Sequence, residues 1–102
     1  MPKIYEYFGF VFYFYSNEHA PIHVHVRKAE RELIYELEFS NGKLSNLRIR
    51  QKKGVKPLDP KEDAEVVAFI NKFADGIAKK WMNAFIYNKK VISTKITKRV
   101  WK

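Results

Sequence analysis

All three histidines of this 102-residue chain lie within one short stretch, at His19, His23 and His25. Polar and apolar residues alternate over residues 22–27, which predicts a strand that carries His23 and His25 on the same face. A His-x-His pair, with a third histidine and a nearby carboxylate, could hold zinc or another divalent ion and leave one coordination position open. The same imidazoles could act as general acid and base near neutral pH.

The strand of His23 and His25 is predicted to form a hairpin with the strand that follows it. Pairing of residues 22–27 with residues 32–37 places His23 opposite Glu36. This register brings a carboxylate to the imidazoles and gives the candidate site its members. The candidate catalytic residues are His23, His25 and Glu36. The candidate metal ligands are His19, His23 and His25. Two other interpretations stay open, namely histidines that only stabilise the turn through hydrogen bonds and histidines that bind an anion directly.

The composition excludes several other kinds of site. The chain has no cysteine, so it has no disulfide scaffold, no thiolate zinc finger and no cysteine nucleophile. Glycine-rich phosphate loops are also absent from the sequence, and the enzyme hypothesis therefore depends on the histidines alone. Because no apolar run reaches the length of a membrane-spanning helix, we expect a soluble cytoplasmic protein that does not enter membranes.

Positive charge is concentrated in the later part of the chain. The formal net charge is +9, although residues 1–26 carry one lysine against two glutamates. An excess of this size favours a polyanion or an acidic protein as partner. Lysine and arginine side chains could bind phosphates while tyrosines stack on bases. The predicted binding residues are Arg27, Arg48, Arg50, Lys52, Lys53, Tyr13 and Tyr15. The alternative is that these charges form a solvated surface and that the tyrosines only pack.

Alternating and aromatic runs predict four strands, at about residues 8–15, 22–27, 33–39 and 44–50. In the first run, Phe8, Phe10, Phe12 and Phe14 should face the core. The opposite face should then carry Tyr13 and Tyr15, joined by Tyr5 and Tyr7 if the strand starts early. Asn41-Gly42 marks a hairpin, and a one-residue bulge with Gly42 at positive φ is needed to keep apolar residues opposite one another.

A helix over about residues 60–87 follows, because apolar residues recur there at helical spacing. Asp59 is a suitable N-cap, Pro60 suits the first helical position, and Glu62 could complete a capping box. Residues 89–101 are basic and partly β-branched, and they predict a short strand or an arm. The expected fold is therefore one α+β domain, in which the long helix packs on one face of a mainly antiparallel four-stranded sheet.

The stretch from Asn17 to Val26 (NEHAPIHVHV), together with Gly9 and Tyr15, resembles a bacterial family known as domain of unknown function 4160. That family has a tyrosine-rich strand, an acidic residue and the pattern His-x-Pro-Pro-His-x-His-Val. Ile22 stands here in place of the second proline, and the histidine spacing is kept. The resemblance covers most of residues 3–87. It implies a fold and a motif but no reaction, and it suggests pairing with a small partner protein of the toxin–antitoxin kind.

These observations favour a small basic module that binds nucleic acid, either RNA or DNA, or a small acidic partner protein in a toxin–antitoxin-like pair. The alternative is a small hydrolase or ribonuclease that uses the His19, His23 and His25 cluster with or without a divalent metal such as zinc. A third hypothesis is an obligate protein–protein module, in which strand 8–15 or the tail 91–101 pairs with another chain. A homodimer is one form that such pairing could take.

Overall fold

The protein is described by a computed structural model over residues 2–14 and 22–100. The described residues form six strands and one helix. In chain order these are β1 (Lys3–Tyr7), β2 (Phe10–Tyr13), β3 (Ile22–Lys28), β4 (Arg31–Ser40), β5 (Lys43–Gln51), α1 (Pro60–Phe85) and β6 (Thr94–Ile96). The strands make one sheet in the order β5-β4-β3-β2-β1-β6. The expected α+β class is confirmed, but the expectation of four mainly antiparallel strands is wrong, because the sheet has six strands and is mixed.

The first predicted strand, 8–15, is instead the second half of a hairpin. Phe8 and Gly9 both adopt positive φ, at 45° and 88°, and this tight turn reverses the chain between β1 and β2. Tyr7 then lies opposite Phe10, so the two side chains share one face of the sheet. The sequence does not reveal this turn, because none of the residues around Gly9 in the run is polar. Tyr15, the last residue of the predicted strand, lies outside the described residues.

This reversal changes which aromatic residues form the core. Tyr5 and Tyr7 are buried on the helix side of the sheet, where both rings contact Phe69 of α1. The expectation that they lie on the same face of the sheet as Tyr13 is therefore wrong. Phe8 is 41% exposed at the turn, so its assignment to the core is also wrong. The other phenylalanines of the run, Phe10, Phe12 and Phe14, are buried as predicted.

The remaining two hairpins have the predicted pairing. His23 lies opposite Glu36 between β3 and β4. Between β4 and β5, Leu37 lies opposite Leu47, and the register shifts at Glu38/Phe39. Gly42 has a φ of 79° in the connecting turn. The predicted bulge is thus confirmed, and its effect is to keep the apolar residues of both strands on the helix side.

The helix begins at the predicted cap and lies across the apolar face of the sheet. The side chain of Asp59 accepts a hydrogen bond from the backbone of Glu62, and the side chain of Glu62 accepts one from the backbone of Asp59. The helix ends at Phe85, two residues before the predicted end. Phe69 is fully buried, and its ring stacks on Phe12 with 4.5 Å between the ring centroids. Within the described residues, no helix has a stretch both long and apolar enough to cross a membrane.

The C-terminal segment returns to the sheet as its sixth strand. β6 pairs in parallel with β1, and it is shorter than the predicted strand or arm over 89–101. The hydroxyl of Tyr7 accepts a hydrogen bond from the backbone N–H of Val100 at 3.1 Å and donates one to Glu65 of α1 at 3.3 Å. Arg99 pairs with the same carboxylate. These contacts hold the C-terminal segment against β1 and the helix.

Candidate functional site

The candidate site lies on the sheet face opposite α1, which we call the histidine face. Alternation along β3 turns Ile22, Val24 and Val26 toward the helix, so His23 and His25 point to the other side. Neighbouring strands contribute side chains of the same parity. The described side chains of the histidine face include Tyr13 from β2, His23, His25 and Arg27 from β3, Glu32, Ile34, Glu36 and Glu38 from β4, Asn46, Arg48 and Arg50 from β5, and Lys52 just after β5.

One part of this face is a buried polar network around His25. Nδ1 of His25 lies 3.2 Å from Oε2 of Glu32, and the two residues are 3% and 2% exposed. Lys52 donates to the same carboxylate oxygen at 3.3 Å, and Tyr13 also hydrogen-bonds to Glu32. The ring of Tyr13 stacks on His25, with the ring centroids 5.4 Å apart. His25 therefore sits between a carboxylate and an aromatic ring, as a side chain whose orientation is fixed.

The charge of Glu32 follows from these contacts. Burial by itself raises the pKa of Glu32, but the hydrogen bonds from Tyr13, His25 and Lys52 outweigh it, so its pKa is lowered. Since an ionised carboxylate can only accept hydrogen bonds, Nδ1 of His25 carries the hydrogen of this bond. The network thus contains a negative charge that is buried, compensated and fully engaged in hydrogen bonds.

The second part of the face is centred on Glu36 and is more accessible. Nε2 of His23 lies 3.1 Å from Oε2 of Glu36, and Nε of Arg50 donates to the same oxygen at 2.8 Å. The side chain of His23 is 19% exposed and that of Arg50 is 51% exposed. A carboxylate holds the imidazole in one orientation here too, but solvent reaches the ring. Proton transfer to or from a bound molecule requires an oriented and accessible group, and His23 meets both conditions, whereas His25 is buried.

The structure brings together most of the predicted site residues and separates their roles. Of the candidate catalytic residues, His23 and Glu36 form a hydrogen bond with each other. His25 forms its hydrogen bond with Glu32 instead. The sequence analysis did not select Glu32, although its alternation with Glu36 along β4 places it on the same face. The third candidate metal ligand, His19, lies outside the described residues.

The described part of the chain contains no group of three or more His, Asp or Glu side chains arranged to hold a metal ion. His23 and His25 hydrogen-bond to different carboxylates, which orients their rings toward different partners. A zinc site that includes His19 stays a prediction.

The predicted binding residues divide into exposed and buried groups. Arg27, Arg48 and Lys53 are exposed, and Arg50 is half exposed. Lys52 is tied to Glu32, and Tyr13 is 6% exposed against His25, so we assign both to the buried network. Tyr15 lies outside the described residues. Among the predicted binding residues, the cations that face solvent are therefore Arg27 of β3, Arg48 and Arg50 of β5, and Lys53.

A comparison with protein families supports the resemblance seen in the sequence. A family model described as Domain of unknown function (DUF4160) matches residues 9–82, which is more than half of the chain. No curated protein and no solved structure matches the chain. The matched stretch runs from the first hairpin turn through β2, β3, β4 and β5 into most of α1. The chain therefore belongs to this family, whose function is unknown.

Proposed function

We propose that the protein binds single-stranded nucleic acid through the arginines of the histidine face. The observation that carries the proposal is the exposure of Arg27, Arg48 and Arg50 on one sheet face. Arg27 belongs to β3 and the other two to β5, so β4 separates them, and neighbouring strands lie about 4.8 Å apart. Guanidinium groups spread over two strand spacings can contact successive phosphates of an extended strand.

The carboxylates of this face do not cancel its attraction for phosphate. Glu32 is hydrogen-bonded to His25 and Lys52. Glu36 is hydrogen-bonded to His23 and Arg50. Glu38 faces Arg48 at 3.9 Å, a distance at which an exposed pair contributes little. The cations that remain available to a ligand outnumber the carboxylates that remain available. This balance supports binding of an anionic chain.

A binding measurement with two matched double variants tests the proposal. Fluorescence anisotropy would follow a labelled single-stranded RNA and its DNA counterpart. We expect Arg27→Gln/Arg48→Gln to weaken binding by about tenfold or more, since each phosphate contact carries part of the affinity. The control is Lys61→Gln/Lys72→Gln, which removes the same charge from exposed positions on α1. We expect it to bind within about threefold of the original protein. Equal losses in both variants, or no binding by the original protein, would contradict the proposal.

Ribonuclease activity is a second candidate function, favoured by the contact between His23 and Glu36. A hydrogen bond to the Glu36 carboxylate favours the tautomer with the hydrogen on Nε2, and Nδ1 would then be the basic nitrogen of the ring. Such a base can take the proton of an RNA 2′-hydroxyl. The 2′-oxygen then attacks the adjacent phosphorus, and the bond from phosphorus to the 5′-oxygen breaks as that oxygen takes a proton from a general acid. The products are a 2′,3′-cyclic phosphate and a 5′-hydroxyl, and no metal is required.

The cleavage hypothesis separates from simple binding in one experiment. A labelled RNA is incubated with the original protein, with His23→Ala and with Glu36→Gln, and the products are resolved on a denaturing gel. We expect the His23 variant to lose about 100-fold or more in rate, as is typical when an acid–base group is removed. DNA of the same sequence lacks the 2′-hydroxyl and should stay intact. Undiminished cleavage by His23→Ala would exclude His23 as the base.

A bound metal, a small acidic partner and a homodimer stay predictions that one further measurement addresses. Native mass spectrometry of the purified protein, with and without chelator, reports metal content, oligomeric state and co-purified nucleic acid or protein. If the protein forms a toxin–antitoxin-like pair, we expect a heteromeric mass when it is produced together with its small acidic partner. A zinc adduct lost with chelator and with His23→Ala would support the zinc site.

A further inference from the structure

A cleft on the helix side of the molecule lies between α1 and the segment that leads into β6. Its volume is about 350 Å³. The walls are formed by Tyr5 of β1, four residues of α1 and the segment 90–94. Tyr5 points toward α1, so this cleft and the histidine face lie on opposite sides of the sheet.

The hydroxyl of Tyr5 reaches this cleft because residue 76 of α1 is glycine. A Cβ at Gly76 would lie 2.2 Å from the Tyr5 hydroxyl oxygen, well inside contact distance. Tyr5 is 5% exposed, and its ring packs against both Phe69 and Phe73 at centroid distances of 5.3 and 5.5 Å. Burial raises the pKa of Tyr5, so its hydroxyl keeps the proton and can donate it in a hydrogen bond.

The charged side chains that line the cleft are all lysines, which are Lys79, Lys80 and Lys90. The ammonium of Lys80 donates to the backbone carbonyl of Ile92 and to Oγ1 of Thr94, the latter at 3.1 Å. It lies 5.0 Å from the centroid of the Tyr5 ring. An ammonium group has three hydrogens, so these two bonds leave one for another acceptor. Burial lowers the pKa of Lys80, because the fold removes part of the water around its charge.

We propose that this cleft binds a phosphomonoester group. A phosphate dianion presents several acceptor oxygens to donors from different directions, and here those donors are the Lys80 ammonium, the Tyr5 hydroxyl and the neighbouring lysines. It would also supply the negative charge that the lining lacks. The cleft is larger than a phosphate ion, and Val91 and Ile92 give it an apolar side where the organic part of the ligand would lie.

The test is a titration followed by two-dimensional ¹H–¹⁵N NMR, with adenosine monophosphate as probe and adenosine as the control that lacks the phosphate. We expect the monophosphate to shift the amide signals of Gly76, Lys80 and residues 90–94, and adenosine to leave them in place. Tyr5→Phe removes only the hydroxyl, and Lys80→Gln removes the charge. Each should weaken binding by about tenfold, as expected for a hydrogen bond to a charged group. Lys72→Gln, on the same helix outside the cleft, should bind like the original protein.

Two further comparisons complete the test. Lys79→Gln removes a positive charge of the cleft at an exposed position, where folding should be unaffected. It therefore tests the proposal even if Lys80→Gln fails to fold. A short RNA with a 5′-phosphate and its 5′-hydroxyl form distinguish the two sources of a phosphomonoester. Shifts from the monophosphate identify a free metabolite, and shifts from the 5′-phosphorylated RNA alone identify a chain end. If neither probe shifts the cleft signals, or if Tyr5→Phe and Lys79→Gln bind both probes as well as the original protein, the proposal fails.

Discussion

His23 and His25 project from the same face of β3, yet the side chain of His23 is 19% exposed and that of His25 is 4% exposed. Each imidazole bonds to a glutamate of β4, His23 to Glu36 and His25 to Glu32. The two described histidines of the motif therefore differ in accessibility, although they have equivalent positions in the alternation of the sequence.

The buried pair should contribute more to stability than the accessible one. We expect Glu32→Gln and His25→Ala each to lower the free energy of unfolding by about 1–3 kcal/mol, because each leaves buried polar groups without their partner. His23→Ala should cost less than about 1 kcal/mol, since its pair is partly exposed. Chemical denaturation followed by circular dichroism measures all three variants. A larger loss for His23→Ala than for His25→Ala would reverse the assignment.

The salt dependence of nucleic-acid binding should report the arginines individually. For a single-stranded ligand, the slope of log affinity against log salt concentration changes by about 0.7 for each phosphate contact. We expect Arg48→Gln to reduce the slope by about that amount. Lys61→Gln, an equal charge change on α1, should leave the slope unchanged. An identical slope for Arg48→Gln and the original protein would remove Arg48 from the binding surface.

Gly76→Ala should destabilise the protein, although alanine is the better helix former. The gain from helix propensity is about 1 kcal/mol, whereas a Cβ 2.2 Å from the Tyr5 hydroxyl forces a packed ring to move, at a cost of about 1–3 kcal/mol beyond that gain. Tyr5→Phe removes the oxygen that clashes and should restore part of the loss. A double-mutant cycle from thermal or chemical unfolding measures this coupling. Additive effects of the two substitutions would contradict the close approach.

Part of the stability that the protein loses in acid should come from the helix cap. The hydrogen bonds from Arg31 are the main reason that the pKa of Glu62 falls from its ordinary 4.5 to about 2. A lowered pKa stabilises the fold above pH 4.5, and this contribution is lost as the pH falls from 4.5 toward 2. Glu62→Gln should therefore flatten the pH dependence of stability in that window. It should also cost about 1–2 kcal/mol at neutral pH, because the capping box is weakened.

The control for the acid experiment is Asp75→Asn, which changes an exposed carboxylate on the same helix. It should keep both the stability at neutral pH and its decline in acid. Denaturant midpoints measured over a pH series would show the difference. A pH profile for Glu62→Gln that matches the original protein would exclude the Arg31–Glu62 pair as a source of acid sensitivity.

Local signals in the sequence were sufficient for the central part of the fold. Alternation places His23 on one face, Asn41-Gly42 with its bulge sets the register of Leu37 and Leu47, and the Asp59 cap begins the helix. Each of these depends on residues close together in the chain, through side-chain periodicity, turn conformation or capping hydrogen bonds. For the same reason the sequence was sufficient to predict that His23 lies opposite Glu36.

Other features depend on contacts that no local pattern specifies. The turn at Phe8-Gly9 lies within a run of aromatic and apolar residues, and its reversal moves Tyr5 and Tyr7 to the helix side. β6 pairs with β1 across almost the whole length of the chain.

The sequence by itself therefore determined strands β3 to β5 with their registers, the helix and the placement of His23 and His25 on one face of β3. Only the tertiary structure decided which histidine is buried and where the lysine-lined cleft opens. Burial and distant pairing arise when remote segments pack together, whereas periodicity and capping act within a few residues.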